Sequence, residues 1–489
     1  MIEPRSARRP AALLAVLGLL AAAALLPPLA AQDPPPPEDA EPAVIPSPAD
    51  DPPPPPPPRR RGGRRRGGDE PAAAPEGGAP AAPAADAAKP AEERFLAIVG
   101  GTIHTVSGGV IPRGTILAKN GRIHEIGPNV PVPPGAEILA VDGLHVYPGL
   151  VAVDSTGIVS APDDTDAFSF SLLLALAGGV TTARTGEHIV KLTYGTLDGH
   201  ALAKSPFVTI RSSASDPKGR RELREALARV LEHRRALERH AREKEKDPKA
   251  VEPDGKWIKG VYQTAQRLMS GEATAWVEAT EAGEIRDICD LAARYDFRVV
   301  VAGAEEGWIA AQELAYANAA AVVTPRTRRD PDERRVAPNG TSPENAAILA
   351  RHGVPIAIFP IGSIFAPGGG VSLSGLAGRD LLHLPMEAAF AVRGGLPEDI
   401  AVRAITLDAA RILGVEERVG SIEVGKDADF VITDGDLLSY LTLPQYTVVN
   451  GRIAYDQAKE GILEHIRPGG EPEPTAPPDH WPRRLGEDW

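Results

Sequence analysis

Residues 143–157 read GLHVYPGLVAVDSTG, and the character of the chain changes across them. On the N-terminal side lie short β-type runs broken by turns. FLAIVGGTIHTV (95–106) is a strand kinked at Gly100-Gly101. TILAKNGRIHEIG (115–127) is two strands joined by Asn120-Gly121, a pair suited to the positive backbone angles of a two-residue hairpin. AEILAVDGLHVYPGL (136–150) adds a turn at Asp142-Gly143. The far end of the chain repeats this style in GSIEVGKDADFVITDG (420–435) and YTVVNGRIAYD (446–456), with Asn450-Gly451 as another hairpin. Neither β-rich piece is large enough to bury a core alone, so the two are expected to meet in one small domain.

On the C-terminal side of residues 143–157, strands alternate with helices. Strand patterns fall at 150–154, 180–184, 207–210, 275–278, 299–302, 321–323 and 355–359. Helical patterns fall between them, at 170–177, 218–245, 283–295, 307–317 and 343–352, with a last one at 384–392. Such alternation implies a parallel sheet, and its length suits an eight-stranded barrel. Seven strands are identifiable, so closure by an eighth is an expectation. The longest helix has its own start signal: Asp216 as cap and Pro217 at the first helical position, where a missing N–H costs nothing. Leu223, Leu227, Val230, Leu231 and Leu237 form its apolar stripe, and the charged remainder reads as a solvated outer face.

The first ninety residues are of another kind. Arg5, Arg8 and Arg9 precede an apolar run at 11–26 and small residues at Ala30 and Ala31, the pattern of an export signal over 1–31. The run is shorter than the roughly 20 residues that a spanning helix needs, which favours cleavage over a retained membrane anchor. Export to the periplasm or the extracellular space is therefore expected. Of the 50 prolines, 19 fall within residues 33–90, so segment 32–93 reads as an extended linker that cannot fold alone. Its Arg-Gly arm, 59–68, offers a contact to anionic surfaces but reads first as solvated spacer. Residues 461–489 read as a tail.

Across 489 residues, 53 basic and 66 acidic side chains leave a formal charge of −13, with no footprint for specific nucleic-acid binding. The single cysteine, Cys289, excludes a disulfide framework and any cysteine-based metal cluster. No strand-Gly-x₄-Gly-Lys-Ser/Thr phosphate loop and no Gly-x-Ser-x-Gly nucleophile elbow occurs. A glycine-rich PGGGVSLSG (367–375) is a candidate lid over a pocket.

Three stretches together resemble the amidohydrolase superfamily, in particular its imidazolonepropionase-like branch. They are NGRIHEIG (120–127) followed by GLHVYPGLVAVDSTG, then LALAGGVTTARTGE (174–187), then AVRAITLDAARILGVEERVGSIEVGKDADFVITDGD (401–436). The resemblance implies an α/β fold: a TIM-like (β/α)8 barrel over 147–417, with a composite β-sandwich built from 94–146 and 418–460. It also implies a metal-dependent hydrolase of carbon–nitrogen bonds. In that family, histidines and one aspartate at strand ends hold a divalent ion, which activates a water.

This chain departs from that pattern position by position. Where the family's strand-one signature carries its His-x-His pair, Asp154 and Thr156 stand. Glu278 follows a middle strand at a ligand position, and Gly303-Ala304-Glu305 falls where the next histidine is expected. The final strand runs into Phe359-Pro360-Ile361-Gly362-Ser363 in place of the expected aspartate. Of eleven histidines, His188 directly follows strand two and is expected near the barrel mouth, with His200 a weaker candidate.

Two functional readings follow. In the first, an exported amidohydrolase-like protein has lost its metal site and binds a small ligand or protein at the old mouth, without a cofactor. In the second, a divergent hydrolase uses Asp154, His188, Glu278 and Glu305 with a divalent metal such as Zn, Mn or Ca. A rim of solvated acids, some paired with Arg184 or Lys191, is the non-functional reading of the same residues.

Overall fold

The computed structural model describes residues 93–155, 166–210, 216–360 and 381–460. The segment 1–31 expected to be an export signal, nearly all of the expected linker, Thr156, the glycine-rich 367–375 segment and residues 461–489 lie outside the described residues. Seventeen strands are described, taken here in chain order. The first five are β1 (Phe95–His104), β2 (Val110–Lys119), β3 (Arg122–Gly127), β4 (Glu137–Ala140) and β5 (His145–Pro148). Then come β6 (Leu150–Ala152), β7 (Val180–Thr185), β8 (His188–Lys191) and β9 (Ala201–Lys204). β10 (Phe207–Ile210), β11 (Thr274–Glu278), β12 (Val299–Ala302), β13 (Ala320–Val323) and β14 (Ile356–Ile358) follow. The last are β15 (Phe430–Thr433), β16 (Pro444–Val449) and β17 (Arg452–Asp456).

Strands from both ends of the chain share one sheet, in the order β17-β16-β15-β5-β1-β2-β3, with β4 beside β1. The join is the antiparallel ladder of β5 with β15, where Val146 faces Ile432 and Pro148 faces Phe430. Ile98, Ile103, Ile116, Val146, Phe430 and Ile432 bury a common core beneath it. Asn120, Gly121, Asn450 and Gly451 all have positive φ, the geometry of tight hairpins. The two hairpin tips also touch. A Cβ on Gly121 would lie 2.9 Å from the Asn450 carbonyl oxygen, so only glycine allows this approach.

The α/β region holds two sheets. One runs β6-β7-β8-β9; the other is the parallel series β10 to β14. β6 and β7 are parallel, but β8 and β9 fold back antiparallel. Here the structure departs from a continuous eight-stranded ladder. After β7 the chain turns straight into a hairpin instead of a crossover helix, and among the described residues no ladder joins β14 to β6 or β9 to β10. Side chains join the two sheets where backbone bonds do not. Val151, Val153 and Ile189 from one sheet pack with Trp276, Val300, Val322 and Ala357 from the other. The helix Leu407–Leu413 closes one side with Ala409, Ala410 and Leu413. The alternate residues, including Leu150, Ala152, Ala275, Val277, Val299 and Val301, face the surrounding helices.

The long helix spans Pro217–Lys244, and the Asp216 side chain accepts a hydrogen bond from the Gly219 N–H. Leu223, Leu227 and Val230 are buried; His240, on the charged side of the sequence pattern, is buried as well. Its ring bonds the Ala250 carbonyl, which explains how a polar group is accommodated there.

Candidate functional site at the strand ends

Alternation along β7 and β8 decides what enters the space between the sheets. Thr182 pairs with Lys191 and Arg184 with Ile189, so these four share one face, the face of Ile189 that packs against Trp276. Arg184 is thereby turned inward near the carboxyl end of β7. Its guanidinium carbon lies 4.1 Å from the Trp276 ring centre and 5.1 Å from that of Phe207. The two rings meet edge to face at 5.2 Å. Stacking on two aromatic faces is a favourable way to bury a guanidinium, on the order of 2 kcal/mol for a desolvated cation–π contact.

Among the described residues, one carboxylate faces this cation. Asp154 Oδ1 lies 3.6 Å from Arg184 Nη1, just past the end of β6. That distance is an ion pair and longer than a hydrogen bond. The Arg184 side chain is only 8% exposed, yet among the described residues its Nε and Nη1 have no hydrogen-bond acceptor. Among the described residues, the buried Ser155 hydroxyl also lacks a partner. Burial pushes the Asp154 carboxyl above its ordinary range, opposed by Arg184 and by the Ser155 N–H. Burial likewise pulls Arg184 down, opposed by Asp154. Incompletely satisfied donors beside a perturbed carboxyl at strand ends mark a candidate binding site.

The other sequence candidates go to different places. Glu278 ends β11 on the same alternation as Trp276, two residues nearer the strand end, and is exposed. Glu305 sits 3.2 Å from Arg329, which also binds Glu306 at 2.9 Å and Glu281 at 3.5 Å. Burial raises the Glu305 carboxyl, Arg329 lowers it, and Glu306 raises it further. The cluster organises loops, because Glu306 also accepts from the Ala282 and Gly340 N–H groups. His188 pairs with Thr185, on the face of β8 opposite to Ile189. His200 is buried beside Lys191, whose N–H its carbonyl accepts, and burial lowers its imidazole pKa. Lys191 is not a partner of the rim acids. Its ammonium is fully buried between Asp427, at 2.9 Å, and Asp429, in the seam with the β-domain.

Residues 366–458 match the amidohydrolase family. Over that stretch the chain is similar to the amidohydrolase superfamily. It is 44% identical over 86 residues to an imidazolonepropionase of Pseudomonas aeruginosa, covering 18% of this chain and 19% of that one. It is 38% identical over 71 residues to a 5-methylthioadenosine/S-adenosylhomocysteine deaminase of Symbiobacterium thermophilum, covering 12% of this chain and 16% of that one. These matches thus span less than a fifth of either relative. Among solved structures, an amidohydrolase from Thermotoga maritima superposes with a TM-score of 0.55 at 20% identity, over 74% of this chain and 100% of that one. At that identity the likeness speaks for the fold alone, and the fold is α/β.

The resemblance to amidohydrolases implies a divalent ion at the strand ends, and the residues present can be tested against it. Asp154 stands at a ligand position but faces a guanidinium, whose charge opposes a cation. Glu305 is engaged by Arg329, and His188 lies on the opposite face of its strand. Among the described residues, no group of three or more His, Cys, Asp or Glu side chains is placed to hold a metal. The donors among the described residues do not by themselves fit the ion. Sequence reasoning missed Arg184 as the centre of the site, as well as Trp276 and Phe207. A usable signal existed: an arginine two residues after Thr182 shares the inward alternation of an otherwise uncharged strand.

Proposed function

We propose that this amidohydrolase-superfamily protein is exported and uses its strand-end site to bind a small ligand with an anionic group, without metal-assisted hydrolysis. The observation that carries the reading is the buried Arg184, stacked on Trp276 and retaining two nitrogens without acceptors among the described residues. An incoming carboxylate would supply those acceptors in the bidentate geometry for which guanidinium is suited. Ser155 offers a neutral hydroxyl beside it, and Asp154 sets a selective limit by repelling anions that approach from its side. The export signal in the sequence supports a site of action outside the cytoplasm.

The test begins with full-length protein purified without chelators and resupplied with zinc, manganese or calcium. Elemental mass spectrometry is expected to find no ion above the level of the Asp154→Ala variant. A panel of small carboxylates is then expected to raise the melting temperature of the wild type but not of Arg184→Met. A near-stoichiometric ion that disappears in Asp154→Ala would overturn the reading. It would favour the divergent hydrolase built on Asp154, and amide and cyclic-amide substrates would then be the ones to assay.

A further inference from the structure

A second cationic site lies away from the strand ends, in the seam between the β-domain and the α/β region. There the hairpin tips at Asn120-Gly121 and Asn450-Gly451 meet the loop after β8 around a cavity of about 500 Å³. Arg94, Arg122, Arg418 and Arg452 line it. In a chain of net charge −13, four guanidinium groups around one cavity demand an explanation.

Among the described residues, their partners leave much of that charge unanswered. Arg418 is paired with Asp427, but Asp427 is shared with the buried Lys191. Arg94 donates to the Asn450 carbonyl at 3.1 Å and Arg122 to the Gly425 carbonyl at 3.3 Å, both neutral acceptors. Arg452 faces Asp198 at 3.9 Å, and that carboxylate is 82% exposed, so the attraction is well screened. Burial, then repulsion from Arg452, holds Arg94 below its ordinary value. The Thr193 hydroxyl also lines the cavity, buried and, among the described residues, without a hydrogen-bond partner.

We infer that this cavity binds a small molecule bearing two or more oxyanion groups, held by Arg94, Arg452 and Arg122 with Thr193 as a neutral donor. The volume matches a metabolite-sized ligand. A single carboxylate would leave at least one guanidinium unmatched, whereas a diphosphate or polycarboxylate answers several at once. This inference is independent of the strand-end site and stands or falls separately from it.

Isothermal titration calorimetry of the full chain at about 150 mM salt, a concentration that screens exposed charges, would use inorganic pyrophosphate and citrate as probes. One-site saturable binding to at least one of them is expected. Pyrophosphate preference assigns a phosphate-bearing ligand, and citrate preference assigns a polycarboxylate. Arg452→Gln, an exposed position tolerant of change, should weaken binding roughly tenfold, the cost of one charge-assisted hydrogen bond. Asp198→Asn should tighten binding severalfold by removing a competing carboxylate. Arg267→Gln, a surface position paired with Glu272 elsewhere, should change nothing. Absence of binding to both probes overturns the inference. So does binding that Arg452→Gln and Asp198→Asn leave untouched, or that Arg267→Gln weakens equally.

Discussion

Lys191 and Arg184 occupy the same inward face of one β-hairpin, two paired rungs of the same ladder, yet they live in opposite circumstances. Lys191 is fully buried, and two carboxylates, Asp427 and Asp429, close on its ammonium. Asp429 is tied further by accepting the Asn450 N–H, and Arg418 holds the other side of Asp427. Every charge there has a partner from another part of the chain, so the cluster fastens the β-domain to the α/β region. Among the described residues, Arg184 has aromatic faces above it, a single carboxylate beyond hydrogen-bond distance, and donors without acceptors. A satisfied buried cation fixes structure; an unsatisfied one at strand ends keeps capacity for a ligand.

The comparison is easiest to break at Lys191. Lys191→Met would strand two buried carboxylates, and chemical denaturation should show a loss of about 3–5 kcal/mol, the usual cost of removing one partner from a buried pair. A loss below about 1 kcal/mol, the range of exposed pairs, would show that the seam cluster is not what joins the two regions. Trp276→Ala tests the platform under Arg184. It opens a void among Val151, Val300 and Val322, and about 3 kcal/mol of stability should go with the lost packing. The same variant should abolish carboxylate-induced melting shifts, because the guanidinium loses its stacking surface.

Arg184→Met sharpens the contrast by its small effect on stability. Removal of an incompletely bonded buried charge in favour of an apolar chain should leave stability within about 1 kcal/mol of wild type while ligand response vanishes. A loss as large as that of Lys191→Met would make Arg184 a structural residue. The smallest expected effect is pH dependence at Asp154. Its folded carboxyl is raised above 3.8, so the folded state holds that proton longer than the unfolded chain does. The associated stability is fully present below the unfolded value and is lost as pH rises through the folded one. Denaturation from about pH 3 to 7 should therefore show the wild type losing stability relative to Asp154→Asn as pH rises through the carboxylate range. Parallel profiles would place Asp154 in an ordinary solvated setting.

Much of the strand and helix pattern was legible because periodicity and turn chemistry are local. The helix Phe170–Ala177 and the strands Phe207–Ile210 and Val299–Ala302 fall where alternation and apolar runs placed them. The hairpin tips followed from Asn-Gly pairs, whose backbone preference needs no distant partner. The helix expected over 307–317 begins only at Ala311, since residues before it are drawn into turns around Glu306, whose carboxylate binds the Ala282 and Gly340 N–H groups. No local signal announces that competition.

By itself, then, the sequence determined the alternation of strands and helices, the tight hairpins, the family resemblance, and the presence of Asp154 where that family carries a histidine. Tertiary structure alone decided which charges meet. Arg184 and Lys191 are seven residues apart on one hairpin and look interchangeable in the sequence. Only the packing of β11 against β7 and β8 gives Arg184 a tryptophan face, and only the return of the chain 236 residues beyond Lys191 gives it Asp427. Charge partners depend on distances in space, and local propensity carries no information about a contact closed across half the chain.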